Sequence, residues 1–244
     1  SLLSTLPSPP PTSEIAIFVS ATESFSRANL NCSIRESLDR LALVVWRAKK
    51  EGIKVRGYVS VVVGCPFEGK VEEGMVGSVV RELKGMGCYE VSLGDTIGVG
   101  TPGSWMKLLE KLGKEGVEMR SLAAHCHDTY NTSIASILTC ISHGITTVDS
   151  SIAGLGGCPY SPGSSGNVAT EDVVYALESS GISTGLLPTS LNGDSDDLLR
   201  EGTERNKSFL ELCEVGEWIS GEIGRENGSR AGKAALAKSR RSKK

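Results

Sequence analysis

An α/β fold with a parallel sheet is predicted by strict alternation along the chain. Five strand-like runs are each followed by a helix-like segment. Helix start and stop signals sit where the alternation needs them, and the residues able to do chemistry gather at the ends of strands and in the loops after them. Two architectures fit this pattern: an open doubly wound sheet, or a closed (β/α)8 TIM barrel of about 250 residues.

Residues 1–13 (SLLSTLPSPPPTS) are rich in Ser and Pro and read as a linker or surface loop. Residues 14–20 (EIAIFVS) form a short apolar strand. Residues 33–50 form a helix, opened by a capping box of Ser33 and Glu36. The β-branched run 55–63 is a strand, 71–86 a helix stopped at Gly87, and 89–93 a strand. Residues 102–112 are helical, with Pro102 in the first turn. A strand over 122–127 and a helix over 131–142 follow, the helix ending at Gly144. The pattern closes with a strand over 146–152, a helix over 170–180 and a longer helix from about 196 to 219. Residues 221–244 are densely basic and read as a frayed helix and solvated tail. The domain expected from this pattern spans 14–220 and holds five of the eight units of a barrel.

Composition narrows the function classes. The net charge of -3 argues against a dedicated nucleic-acid binder, and no apolar run is long enough to span a bilayer. The seven cysteines include no C-x-x-C pair, which argues against a disulfide framework or structural zinc site and for reduced thiols.

Three motifs carry candidate chemistry. His125 and His127 are spaced i, i+2 at the end of an apolar strand, so both imidazoles leave the same face and can converge on one ion. A pair of locally hydrogen-bonded histidines is the competing reading. His143 lies near a helix C-terminus and suits capping. The Gly/Ser/Pro loop from Ala153 to Asn167 holds Cys158, a thiol set among glycines and a proline where it can approach a substrate. Asn167 offers an amide oxygen to a metal shell, or else caps a turn. The loop from Gly94 to Gly103 nominally contains the dinucleotide pattern G-x-G-x-x-G. Pro102 occupies one of its variable positions, and no acidic residue ends a strand about 20 residues on, so the loop is expected to shape a site with Asp95 pointing into it.

Together SLGDTIGVGTPG, HCHDTYN and VDSSIAGLGGCPYSPGSSGNVATEDVVYALE resemble the 3-hydroxy-3-methylglutaryl-CoA lyases, supported by NLNCSIRESL, VRGYVSVVVGCPFEGKV and MGCYEVSLGD. The resemblance runs in order from residue 14 to 184, and the GLGGCPY loop separates these lyases from related metal-dependent barrels. It implies a TIM barrel with Mg2+ or Mn2+ at its C-terminal face, and conversion of the hydroxymethylglutaryl thioester to acetyl-CoA and acetoacetate. It implies that His125, His127 and Asn167 are metal ligands, that Cys158 is catalytic, and that Asp95 and Glu171 are polar active-site positions. The expected partner is an acyl-CoA thioester, with no nucleic acid and no membrane, and a homodimer is the assembly the resemblance implies. The mitochondrial matrix is the family's usual eukaryotic compartment, with the cytoplasm as the alternative. The family also carries an Arg-Asp pair on its first strand, the Asp a ligand and the Arg catalytic. No such strand precedes Glu14, so the chain is expected to be truncated at its N-terminus. An inactive fragment, or a related Claisen-type enzyme, is the alternative function.

Overall fold

The computed structural model describes residues 12–157, 166–189 and 195–242. Five strands pair in parallel: β1 (Glu14–Ser20), β2 (Lys54–Ser60), β3 (Glu90–Asp95), β4 (Leu122–Cys126) and β5 (Thr147–Asp149). Their spatial order is their sequence order, β1-β2-β3-β4-β5. Parallel units cross over right-handedly, so an order that never reverses puts every connecting helix on the same face. A doubly wound sheet requires a reversal. The sheet is therefore an arc of a singly wound barrel.

The side chains bear this out. One parity of β2, β3 and β4 (Val55, Val59, Val91, Leu93, Leu122, Ala124 and Cys126) is buried in a single core with Leu83, Trp105, Leu108, Leu112 and Ile137 from the helices. The opposite parity carries Arg56, Tyr58, Glu90, Ser92, His125, Thr147 and Asp149. The convex face is apolar and the concave face polar, because successive side chains of a strand point to opposite sides.

The helices are α1 (Glu23–Leu30), α2 (Ile34–Lys50), α3 (Glu73–Met86), α4 (Pro102–Lys114), α5 (Ser133–Ser142), α6 (Thr170–Ser179), α7 (Glu204–Glu222) and α8 (Arg230–Ser242). The expected capping box is formed: Glu36 N–H donates to Ser33 Oγ at 3.2 Å, and Ser33 N–H to Glu36 Oε2 at 2.8 Å. Gly87 ends α3 at φ 108°, a left-handed conformation open to glycine. Six cysteines are buried with free thiols, and Cys158 lies outside the described residues.

Strands β2 and β5 stop at Ser60 and Asp149, short of the expected 63 and 152, and the helices depart from the sequence reading in three places. Helix α1 (ESFSRANL) spans only eight residues, with Phe25, Ala28 and Leu30 its apolar positions, too short a run to establish a helical period. The helix expected over 196–219 begins instead as a 3-10 turn, Ser195–Leu199, and breaks at Gly202 (φ 83°) before Thr203 caps α7. The basic C-terminal stretch is not a solvated tail up to Ser242. Residues 230–242 are a docked helix, and its N-terminus explains why. Asp172 of α6 accepts from Ser229 Oγ at 2.7 Å and Ala231 N–H at 2.8 Å, while Ser229 Oγ accepts from Gly232 N–H at 2.8 Å. A carboxylate and a hydroxyl thus satisfy the free amides at the positive end of the helix dipole. Ala235 and Leu236 then bury against Val174, Leu187, Leu198, Phe209 and Cys213 in a second apolar cluster.

Phe209 is fully buried at the centre of that cluster. Replacing it with Ala should lower the unfolding free energy by about 3–5 kcal/mol. A loss below about 1 kcal/mol in urea denaturation would show that the α7–α8 layer lies outside the cooperative unit.

Candidate active site

Strand β4 delivers two histidines to the carboxyl end of the sheet. His125 and His127 share the concave face, with ring centroids 5.4 Å apart. Gly166–Ala169 then returns beside them. Asp128 N–H donates to Gly166 O at 2.9 Å, and Val168 N–H to Cys126 O at 3.3 Å. This forms an antiparallel bridge that pairs Asn167 directly with His127. Asn167 Nδ2 donates to Leu155 O at 2.8 Å, which leaves its amide oxygen as the atom available to a further partner. Residues 40 positions apart in sequence therefore converge by backbone pairing.

The environments of the two imidazoles differ. His127 is buried, and burial, reinforced by the neighbouring His125, lowers its pKa to about 4. It is neutral at physiological pH. Its Nδ1 is buried without a hydrogen-bond partner among the described residues. His125 places Nδ1 3.2 Å from Asp149 Oδ2. Burial alone would raise the Asp149 pKa, but hydrogen bonds from His125, Arg56 and Ser92 outweigh it and bring the value down to about 2. An ionised carboxylate only accepts, so His125 donates to it from a protonated Nδ1.

Behind the histidines lies a network that the sequence reading missed. Arg56 donates from Nε to Glu90 Oε1 at 2.6 Å and from Nη2 to Asp149 Oδ1 at 2.8 Å, and it also bonds the Tyr58 hydroxyl. Ser92 Oγ donates to Asp149 Oδ2 at 2.6 Å, and Thr147 Oγ1 to Glu90 Oε2 at 2.7 Å. The available signal was a polar residue at every second position of VRGYVS, EVS and TVD, which marks one face of each strand as polar.

Two expected active-site carboxylates turn elsewhere. Asp95 is buried, and its oxygens accept from Val99 N–H at 3.1 Å and Gly100 N–H at 2.8 Å. It organises the glycine loop after β3. A Cβ at Gly100 would stand 2.6 Å from Asp95 Oδ2 and 2.7 Å from Trp105 Nε1, so that glycine is there for close approach. Glu171 is fully buried in the first turn of α6, and both its oxygens lie 3.0 Å from Ala153 N–H. Burial raises its pKa. A Cβ at Gly216 would strike Glu171, so α7 packs flush over this carboxylate. Glu171 thereby holds the turn that opens the Cys158 loop. His143 Nδ1 lies 2.8 Å from Thr139 O at the end of α5, in keeping with a local helix-end role.

The donor set fits a divalent cation. Two imidazoles and an amide oxygen, one imidazole with an unsatisfied buried nitrogen, form a mixed nitrogen–oxygen group. No cluster of three or more His, Cys, Asp or Glu able to hold a metal occurs among the described residues, so the amide of Asn167 is the third donor available here.

Residues 11–195 match the HMGL-like family model. The chain belongs to the HMGL-like family. It is 50% identical over 228 residues, 93% of this chain, to the mitochondrial hydroxymethylglutaryl-CoA lyase of Arabidopsis thaliana, and covers 43% of that protein. The crystal structure of the Pseudomonas aeruginosa hydroxymethylglutaryl-CoA lyase superposes with a TM-score of 0.79 at 46% identity, covering 93% of this chain and 68% of that one. An HMG-CoA lyase from Acinetobacter baumannii, solved with coenzyme A and 3-methylmalate, matches with a TM-score of 0.74 at 27% identity, over 91% of this chain and 65% of that one. The chain spans about half the length of the curated relatives it matches. Its fold is the HMGL-like TIM barrel, represented by five parallel strands among the described residues.

Burial raises the Asp95 pKa to about 6, against the opposing pull of the loop amides. The folded state therefore holds this proton more tightly than the unfolded state between about pH 4 and 6, so this group's contribution to stability grows as pH falls through that window and is lost as pH rises above it. Relative to Asp95→Asn, the parent should gain up to about 3 kcal/mol between pH 7 and pH 4. A difference in urea unfolding that stays flat over that range would show that Asp95 titrates normally.

Proposed function

We propose that this chain carries the catalytic face of a divalent-metal-dependent carbon–carbon lyase that cleaves 3-hydroxy-3-methylglutaryl-CoA to acetyl-CoA and acetoacetate. The observation that carries this reading is the convergence of His125, His127 and Asn167 at the carboxyl end of β4. In parallel barrels this is the end where active sites form. The family and its HMG-CoA lyase relatives supply the substrate, and the coenzyme A bound by the Acinetobacter relative supports an acyl-CoA thioester.

His125, His127 and Asn167 would hold Mg2+ or Mn2+. When bound, such an ion supplies Lewis acidity toward the substrate's tertiary hydroxyl and a nearby carbonyl oxygen. The remaining work falls to the chain. His127, buried and neutral, presents a lone pair without first having to lose a proton. Glu171 fixes the Ala153 turn, and so the root of the loop that bears Cys158. Cys158, which lies outside the described residues, is the proposed proton donor to the acetyl fragment as the carbon–carbon bond breaks. Asp95 shapes the neighbouring loop from behind the site. Relatives are named mitochondrial in Arabidopsis and cytoplasmic in mouse, and the mitochondrial matrix is the compartment we propose.

Joined to the family's first-strand Arg-Asp segment and supplied with Mg2+ or Mn2+ and a thiol reductant, the chain should convert 3-hydroxy-3-methylglutaryl-CoA to acetoacetate. Cys158→Ala should lower kcat by about 10²- to 10⁴-fold, the usual contribution of a general acid. His127→Ala should abolish turnover supported by added metal. Folded chain without measurable turnover would defeat the reading for this polypeptide and favour a non-catalytic fragment.

A further inference from the structure

We propose that Asp149 is a positioning residue for the candidate metal centre: it accepts the Nδ1 proton of His125 and so aims Nε2 at the cation, with Arg56 and Ser92 holding the carboxylate in place. This inference rests on the reading of His125 as a metal ligand.

Three strands fix Asp149. It is the register partner of His125 across β4 and β5, and its Oδ2 lies 3.2 Å from His125 Nδ1. Ser92 of β3 donates to the same oxygen at 2.6 Å, and Arg56 of β2 donates to Oδ1 at 2.8 Å. A carboxylate already accepting from a guanidinium and a hydroxyl has no proton to offer the imidazole. It selects the tautomer with hydrogen on Nδ1 and restrains rotation of the ring. Carboxylate–imidazole–metal arrangements use this device to fix ligand direction and raise ligand basicity. The other histidine lacks such a partner, since His127 Nδ1 is buried and unbonded. The two ligands are therefore oriented differently: His127 against the Thr96 backbone, and His125 by a carboxylate held by Arg56 from a strand two places away.

Ring nitrogen NMR of the full chain, together with Mn2+ titration followed by electron paramagnetic resonance, tests this on the parent, Asp149→Asn, Arg56→Lys and Ser92→Ala. The parent should show His125 protonated on Nδ1. Asp149→Asn should weaken Mn2+ binding by about 10- to 100-fold and mix the His125 tautomers. Arg56→Lys, which keeps the charge but loses the fork, should weaken binding less. Should Asp149→Asn fail to fold, Ser92→Ala, which removes one anchor and no charge, should still loosen the tautomer preference. A parent with hydrogen on Nε2, or Asp149→Asn with Mn2+ affinity within about twofold of the parent, would overturn the proposal. A parent that binds no Mn2+ would instead defeat the metal reading on which it rests.

Discussion

Arg56 is the interaction on which the concave face depends. Its guanidinium joins Glu90 of β3 to Asp149 of β5, and both ion pairs are largely shielded from water. Hydrogen bonding to these carboxylates outweighs burial and raises its own pKa. Burying such a charge costs several kcal/mol, which is offset only when every donor finds a partner. Here each of the three nitrogens makes one such bond, and the carboxylates are further bonded by Ser92 and Thr147. Removing the Arg would leave two carboxylates facing each other with no counter-charge. A planar, permanently charged fork suits this place better than the flexible ammonium of Lys.

That constraint explains the division of labour between the two faces of the sheet. The convex face carries the hydrophobic driving force, with Val, Leu, Ala and Cys side chains packed on the helices. The concave face is polar and carries the site's chemistry. Unbroken winding makes this separation possible, because every helix lies outside and none competes for the inner surface. The inner surface can then hold charges in fixed directions, and the strand register lines up Gly94, His125 and Asp149 across three neighbours.

Much of this was legible in the sequence where the controlling interactions are local. The bounds of β1, the Ser33 capping box and the Gly87 stop all depend on residues within a few positions of each other. The i, i+2 spacing of His125 and His127 needs only the strand period. The Arg56–Asp149 contact joins residues 93 positions apart, and its partners are set by register between strands that no local pattern reveals. The docking of α8 was hidden for a similar reason, because its cap comes from Asp172 on another helix and the residues around it look merely basic. Asp95 and Glu171 show a different limit. Asp95 beside its glycine loop reads as pointing into a site, and Glu171 is implied by the family resemblance; in each case backbone N–H takes up the carboxylate, from Val99 and Gly100 at Asp95 and from Ala153 at Glu171.

The arrangement of the donors follows from these two levels of control. A strand end can aim two side chains along one face, but a third donor on the same strand would fall a further two residues out, beyond the sheet. The chain solves this by bringing Gly166–Ala169 back antiparallel to residues 126–128, so Asn167 arrives by backbone pairing. The glycines before it permit that path. Gly156 takes φ 96°, and a side chain there would meet the Asn167 amide. The Cys158 loop therefore leaves and re-enters at points fixed by hydrogen bonds, Ala153 to Glu171 at one end and Gly166 to Asp128 at the other. The same backbone pairing that presents the third donor thus also anchors the loop carrying the proposed proton donor. A change at Asn167 would remove the proposed third donor while leaving the pairing bonds of its neighbours, whereas a change at Glu171 would release the opposite end of the loop at Ala153.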